Sequence, residues 1–391
     1  MARYKGKDQI LITYNSINNR IFVVILAAIF CISMSTSIVF ADESVSVNGA
    51  YLGFLNILNQ ENQTSTDSSR RQFDFAGNID FGFKLREGVT GTMQLQTGTG
   101  GGSIGFQGPQ VVVTDLNILW TLKNEFALTI GSFDTPFGFE TLNLTNNADM
   151  SSNNLMMNNL MYSALGGPVG TLNTLGIRVD HETQWTKIMT AVTNGTDESA
   201  ANFDGNFGYV TTVGYNALPD MIFTSFAYMN SKDRDKSGVT GLNAAFQGWL
   251  GELFLGPYRD VSFTGNIGGL EFDDDSSSTK DIVTVWSVEG KYEYLPYEIA
   301  FRVSAWMPED ANGDNTGIST VLPNPGFGIT ANGQPVPADQ DVIRFQIGGA
   351  YSFNDNLKLR AEWILDNYDN NDALTKGHNV NGILLGLTGI F

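Results

Sequence analysis

The chain has 391 residues, and its 41 acidic and 22 basic side chains give it a formal net charge of −19. A chain this acidic is a poor partner for nucleic acid, because phosphate backbones are bound through basic side chains. Its 43 glycines and 26 phenylalanines, with 13 tyrosines and 6 tryptophans, favour many strands and turns over helices.

The first 41 residues differ from the rest and are predicted to be a cleaved secretory signal. A basic stretch leads into an apolar run that ends with Val39 and Ala41, at the positions that a signal peptidase reads. The alternative is an uncleaved inner-membrane anchor, because Ile21 to Phe40 is nearly long enough to span a bilayer. The polar sequence SMSTS weakens that run. Cys31 is the only cysteine, so the mature chain (42–391) is predicted to contain no disulfide and no cysteine metal site.

The mature chain alternates apolar and polar residues over long runs. From Phe73 to Leu85 every second residue is apolar or glycine, and the residues between are mostly polar. Such runs, of about ten to sixteen residues, are long enough for a tilted strand to cross a bilayer. Short turns, for example Glu87-Gly88, Gly256–Tyr258 and Asn354–Asn356, alternate with longer polar segments. We therefore predict an all-β, transmembrane antiparallel β-barrel of about 16 strands, with short periplasmic turns and long external loops.

The third long segment, residues 134–170, opens with the sequence GSFDTPFGFE and is predicted to fold into the barrel. Its phenylalanines are too apolar for a wet surface loop. Pro136 and Gly138 break the strand and turn the chain inward, so that the aromatic rings pack against the wall. The predicted anchor consists of Phe133, Pro136, Phe137, Gly138 and Phe139.

An inward segment would carry acidic side chains into the lumen of the barrel. The candidates are Asp134, Glu140 and Asp149. Basic side chains on the wall would oppose them, because opposed charges set a transverse field that filters solutes. The candidates on the inward phase are Arg178, Arg302 and Arg344. Alternatively, these arginines pair with wall carboxylates such as Asp180 and only brace the barrel. Both interpretations stay open for Arg178, and bracing is favoured for the other two.

Two further features of the sequence could indicate a metal site or a catalytic site. Asp310, Asn312 and Asp314 begin a calcium-loop pattern, but the required glycine and the final glutamate are missing, so a polar loop is the default. His181 and His378 are the only histidines, and they are predicted at opposite ends of the barrel, which argues against an enzyme. We expect no catalytic residues and no cofactor.

The last strand ends on Phe391, with Ile383, Leu385 and Leu387 at alternate positions before it. It would pair with the first strand, near Ser44–Leu58, so that closure removes the sheet edge. This ending resembles that of Gram-negative outer-membrane porins, in which it is the signal that the barrel-assembly machinery recognises. The sequence PFGFE is also similar to a motif of the porin family that includes phosphate-selective channels.

The resemblance implies a porin of the Gram-negative outer membrane, a water-filled barrel that passes small hydrophilic solutes and ions by passive diffusion. It implies that the third loop forms the constriction. The implied partners are outer-membrane lipid, the barrel-assembly machinery and two further copies in a homotrimer. Acidic external loops predict a weak preference for cations. The alternatives are a substrate-specific channel and a structural or adhesive barrel without an open pore.

Overall fold

The computed structural model describes residues 45–61, 68–98, 110–123, 125–139, 173–193, 207–219, 221–231, 244–274, 280–309, 340–368 and 379–390. The predicted signal, residues 1–41, lies outside this set. The described chain forms sixteen strands in one closed barrel. In these ranges, no helix has the length and apolar character needed to span a membrane.

The strands of the first half are β1 (Val45–Glu61), β2 (Ser68–Arg86), β3 (Val89–Gly98), β4 (Gln110–Lys123), β5 (Phe126–Asp134), β6 (Asn173–Glu182), β7 (Thr186–Thr193) and β8 (Gly208–Leu218). Those of the second half are β9 (Ile222–Ser231), β10 (Ala244–Tyr258), β11 (Val261–Asp274), β12 (Lys280–Tyr294), β13 (Tyr297–Glu309), β14 (Val342–Asn354), β15 (Leu357–Tyr368) and β16 (Asn379–Ile390). The prediction of about 16 antiparallel strands is confirmed.

Each strand pairs antiparallel with its neighbours in sequence, and the first strand closes the barrel against the last. This closing register runs from Ala50 opposite Ile390 to Glu61 opposite Asn379. Closure gives every strand two hydrogen-bonded neighbours, so that the backbone is satisfied without help from solvent. The predicted pairing of the last strand with the first is therefore confirmed.

Exposure of the side chains alternates along the strands and separates an outer face from an inner face. On β8, Tyr209 and Val213 are exposed whereas Val210 and Thr212 are buried. Exposed large apolar residues occur on most strands, for example Ile177 on β6 and Trp363 on β15. Because the sheet is closed, this apolar face is the outside, as expected for a wall that contacts lipid.

One predicted turn, between β10 and β11, lies further along the chain than the sequence indicated. The sequence placed a turn at Gly256–Tyr258, but β10 continues to Tyr258 and the turn consists of Arg259 and Asp260. Both turn residues have positive φ, 50° and 70°, as required in the tight two-residue turns that suit twisted hairpins. Gly256 and Pro257 instead form an irregularity in the β10–β11 register, between Leu255 and Tyr258. Glycine and proline mark strand bulges as well as turns, and local sequence does not separate the two.

Exposed aromatic side chains gather near the short turns of β10 to β15. They pack ring to ring, with centroids 5.4 Å apart for Tyr297 and Tyr351 and 5.1 Å apart for Tyr351 and Phe353. Tyr258, Tyr292 and Tyr294 are exposed in the same region. Amphipathic rings at one level of an apolar wall are typical of the boundary between lipid tails and water.

Candidate functional site

The chain leaves the barrel wall after β5. The residues that follow, Thr135–Phe139, are called the inward segment below. All of them are buried, as is Phe133 in the strand before them. Gly138 has φ of +85°, and a Cβ at this position would lie 2.6 Å from Cδ2 of Leu250. Only glycine therefore fits at this position, which turns the chain close against the wall.

The inward segment packs against β8, β9 and β10, although β6 and β7 separate β5 from β8 in the wall. The backbone N–H of Gly138 donates to Oγ1 of Thr212 at 3.1 Å, and the Thr212 hydroxyl donates to the carbonyl of Pro136. The backbone N–H of Phe139 donates to Oε2 of Glu252 at 2.8 Å. Thr212 and Glu252 are buried and alternate with exposed residues of the apolar outer face, so they point inward. The segment therefore lies inside the barrel.

Two wall glycines make room for the aromatic rings of the segment. A Cβ at Gly214 would lie 2.7 Å from Cε2 of Phe223 and 2.8 Å from Cε2 of Phe139. One at Gly248 would lie 3.0 Å from Cδ2 of Leu270 and 3.4 Å from Cζ of Phe137. The ring of Phe139 also meets Phe223 edge to face, with centroids 4.8 Å apart. Each ring thus packs over a glycine of the inner wall, together with a side chain of the wall itself. This is the arrangement that the predicted anchor residues adopt.

Two cations of the inner wall lie beside this anchor. Arg178 has its Cζ 5.3 Å from the Phe133 ring centroid and its Nε 3.0 Å from Oδ2 of Asp180. Lys187 has its Nζ 5.4 Å from the Phe139 ring centroid, and its side chain is 37% exposed. Cations over aromatic faces are attracted by the ring quadrupole. Arg178 therefore both pairs with a wall carboxylate and contacts the anchor.

The other predicted arginines lie on the wall formed by β12 to β15. Arg344 donates two hydrogen bonds to Asp366, at 2.7 and 3.0 Å, and both side chains are 0% exposed. Arg302 pairs with Glu289, directly opposite it on β12, and is also buried. Both guanidinium groups thus bond to carboxylates of the adjacent strand. This is the arrangement expected of arginines that brace the wall. Arg344 has no surface with which to face solutes.

The remaining predicted residues lie on β16, at the end of β5 or outside the described residues. Ile383 and Leu385 are exposed on the outer face of β16, with Leu387 half-buried. Outside the described residues lie Glu140, Asp149, Phe391 and the weak calcium candidates Asp310, Asn312 and Asp314; Asp134 ends β5. Of the histidines, His181 packs against the exposed ring of Phe126, and His378 is not among the described residues. Across the described ranges, no group of three or more His, Cys, Asp and Glu residues could hold a metal ion.

Sequence reasoning missed the residues that receive the inward segment. Thr212, Gly214, Gly248 and Glu252 belong to strands far along the chain from β5, and local sequence does not show which strands the segment meets. One signal was present. Glu252 is the single charge in the otherwise apolar stretch GWLGELFLG, where an unpaired carboxylate would be costly to bury.

Solved structures with the same architecture include three outer-membrane channels. The anion-selective porin from Comamonas acidovorans aligns with a TM-score of 0.60 and 10% identity, over 89% of this chain and 100% of that one. Salmonella typhi OmpF, in a complex with daunomycin, aligns at 0.59 and 14%, over 90% and 99%. The outer-membrane channel DcaP of Acinetobacter baumannii aligns at 0.55 and 12%, over 89% and 97%.

The chain has the porin fold. The alignments span almost the whole described barrel and nearly all of each porin, so the likeness concerns the complete architecture. No protein-family model matches the sequence, and none of the curated proteins compared with it matches either. At identities of 10% to 14%, the likeness is one of fold.

Proposed function

We propose that this chain is a channel of the Gram-negative outer membrane that lets small hydrophilic solutes and ions cross by passive diffusion, without catalytic turnover. The observation that carries the proposal is the inward segment, held on the inner face of β8 to β10. Barrels of about sixteen strands are wide enough to enclose an aqueous channel. A segment held inside such a barrel narrows the channel and gives it a size limit.

The two faces of the wall support this proposal. The outer face is apolar and carries aromatic clusters near the short turns, as a lipid-facing wall requires. The inner face of β12 to β15 carries charges of both signs, including the Arg302–Glu289 and Arg344–Asp366 pairs. Because these charges are paired, they cancel over short distances. The weak cation preference that we propose would arise from the acidic excess of the whole chain, which concentrates cations near the pore mouth.

One observation favours a second candidate, a structural or adhesive barrel without an open pore. A row of apolar side chains on the inward phase of β10 to β15 has no exposed surface. It consists of Leu250, Val285, Trp306, Val342 and, at 2% exposure, Tyr368. An open porin interior is usually polar. Conduction decides between the two candidates, because a barrel sealed at this row would carry no current.

The test is single-channel recording from the refolded mature protein in a planar bilayer, with a salt gradient to measure the reversal potential. We expect stepwise openings and a reversal potential that favours cations. Folding of the same sample is checked by its heat-modifiable mobility on a gel. A folded barrel that stays silent would refute the diffusion channel and support the sealed barrel.

Further expectations belong to the same proposal. Export would remove residues 1–41, and the assembly machinery would read the strand that ends in Ile383, Leu385, Leu387 and Phe391. We propose a homotrimer surrounded by outer-membrane lipid. Mass spectrometry of the mature N-terminus checks the cleavage. Chemical cross-linking in isolated outer membranes checks both the location and the subunit number.

A further inference from the structure

We propose that Glu252 is the positioning residue of the constriction, because its carboxylate fixes the inward segment to β10. This inference rests on the proposed channel function, in which the inward segment begins the constriction. Glu252 does not need to touch solutes in this role. It acts through the position of Phe139, the last described residue of the segment.

The Glu252 carboxylate joins the segment to the wall. Oε2 accepts hydrogen bonds from the backbone N–H of Phe139, at 2.8 Å, and from the hydroxyl of Ser225 on β9. Oε1 lies close to the segment as well, since a Cβ at Gly138 would be 2.9 Å from it. The carboxylate therefore holds the segment at a defined point of β10.

The surroundings of Glu252 indicate that the role of its carboxylate is to bind the inward segment. Its side chain is buried at 3% exposure, and the neighbouring inward positions on β10 are Leu250 and Phe254. An apolar residue would cost less at such a position, because a buried carboxylate must be compensated by donors. One donor comes from the neighbouring strand. Another is the backbone N–H of Phe139, which would lose this acceptor without Glu252.

A second contact, on β8, supports the first; β9 lies between β8 and β10. Thr212 bridges the segment through its hydroxyl, accepting from Gly138 and donating to Pro136. The Phe139 ring packs over Gly214 beside the Phe223 ring, so the wall holds the side chain of Phe139 while Glu252 holds its backbone. The ring and the backbone of Phe139 are thus held on two different strands, β8 and β10, on either side of β9. Loss of the Glu252 carboxylate should free the backbone of Phe139 while its ring keeps its packing over Gly214.

The experiment measures the position of the segment and the current separately. Thr135→Cys places a thiol in the buried segment, and the native mature chain has no other cysteine after removal of residues 1–41. In this background, Glu252→Ala should raise the rate of thiol modification about tenfold or more, because the hydrogen bond to the Phe139 backbone is lost. It should also raise single-channel conductance and current noise. Glu252→Gln should stay close to the parent, because an amide oxygen still accepts from Phe139.

Control variants separate the loss of the Glu252 contact from a general loss of stability. Glu362→Ala removes another buried inward carboxylate, on β15, and should leave the thiol protected. If Glu252→Ala does not fold, Glu252→Leu fills the same space without acceptors and should expose the thiol. A folded Glu252→Ala or Glu252→Leu barrel with a protected thiol and unchanged conductance would overturn the inference. A silent parent protein would refute the channel, while the thiol rates would still decide whether Glu252 holds the segment.

Discussion

The buried pair between Arg344 and Asp366 makes a quantitative prediction about the wall. Asp366→Ala would leave the guanidinium of Arg344 buried and without two hydrogen bonds, at 2.7 and 3.0 Å. Both side chains are 0% exposed, so water cannot replace the lost acceptor. Removing one partner of a buried pair costs about 3–5 kcal/mol. We therefore expect the free energy of unfolding to fall by that amount.

The assay is urea unfolding of the refolded barrel in lipid vesicles, followed by tryptophan fluorescence and gel mobility. The double variant Arg344→Met with Asp366→Leu should recover most of the loss, since an apolar pair of similar volume needs no compensation. As a control, Glu182→Ala removes a partner of Lys187 at 3.5 Å, where the side chains are 65% and 37% exposed. That exposed pair should be worth less than about 1 kcal/mol.

The same variants test whether Arg344 acts on solutes. The folded double variant should keep the reversal potential of the parent, because the pair carries no net charge and faces no water. A loss below about 1 kcal/mol in Asp366→Ala would mean that the pair is hydrated and screened, which would refute the reasoning. A marked shift of the reversal potential in the double variant would indicate that Arg344 acts on permeating ions as a residue of the constriction.

Three further predictions follow from the anchor and the last strand. Gly214→Ala should displace the Phe223 and Phe139 rings, cost about 1–3 kcal/mol in urea unfolding and raise conductance. Gly265→Ala is its control, because nothing lies within 4 Å of a Cβ there. Equal effects of the two substitutions would contradict the proposed packing of the rings over Gly214. Lys187→Glu should move the reversal potential towards cations, since this partly exposed cation lies beside the segment; no movement would place Lys187 outside the conduction path. Deleting Phe391 should lower the amount of barrel in outer membranes while refolding in detergent is unchanged, and equal loss in both would indicate a folding role instead.

The sequence by itself determined the architecture of this protein. A residue's side of a strand depends only on its parity, so the alternation from Phe73 to Leu85 was enough to separate the two faces. Strand count and closure followed from repeated runs and alternating turn lengths. The aromatic residues around Pro136 predicted that the third segment turns inward, because such rings need a wall to pack against. Each of these inferences uses neighbours in sequence.

Only the tertiary structure decided which residues meet. Arg344 finds Asp366 because the β14–β15 register places them opposite each other, and a shift by one residue would turn one of them to the other face. Phe139 meets Glu252 across 113 residues, a contact set by the curvature and closure of the whole barrel. The sequence therefore left both interpretations open for Arg178, favoured bracing for Arg302 and Arg344 without naming their partners, and left Glu252 unnoticed. Parity is a local property, whereas register and contacts across the lumen exist only once the barrel is closed.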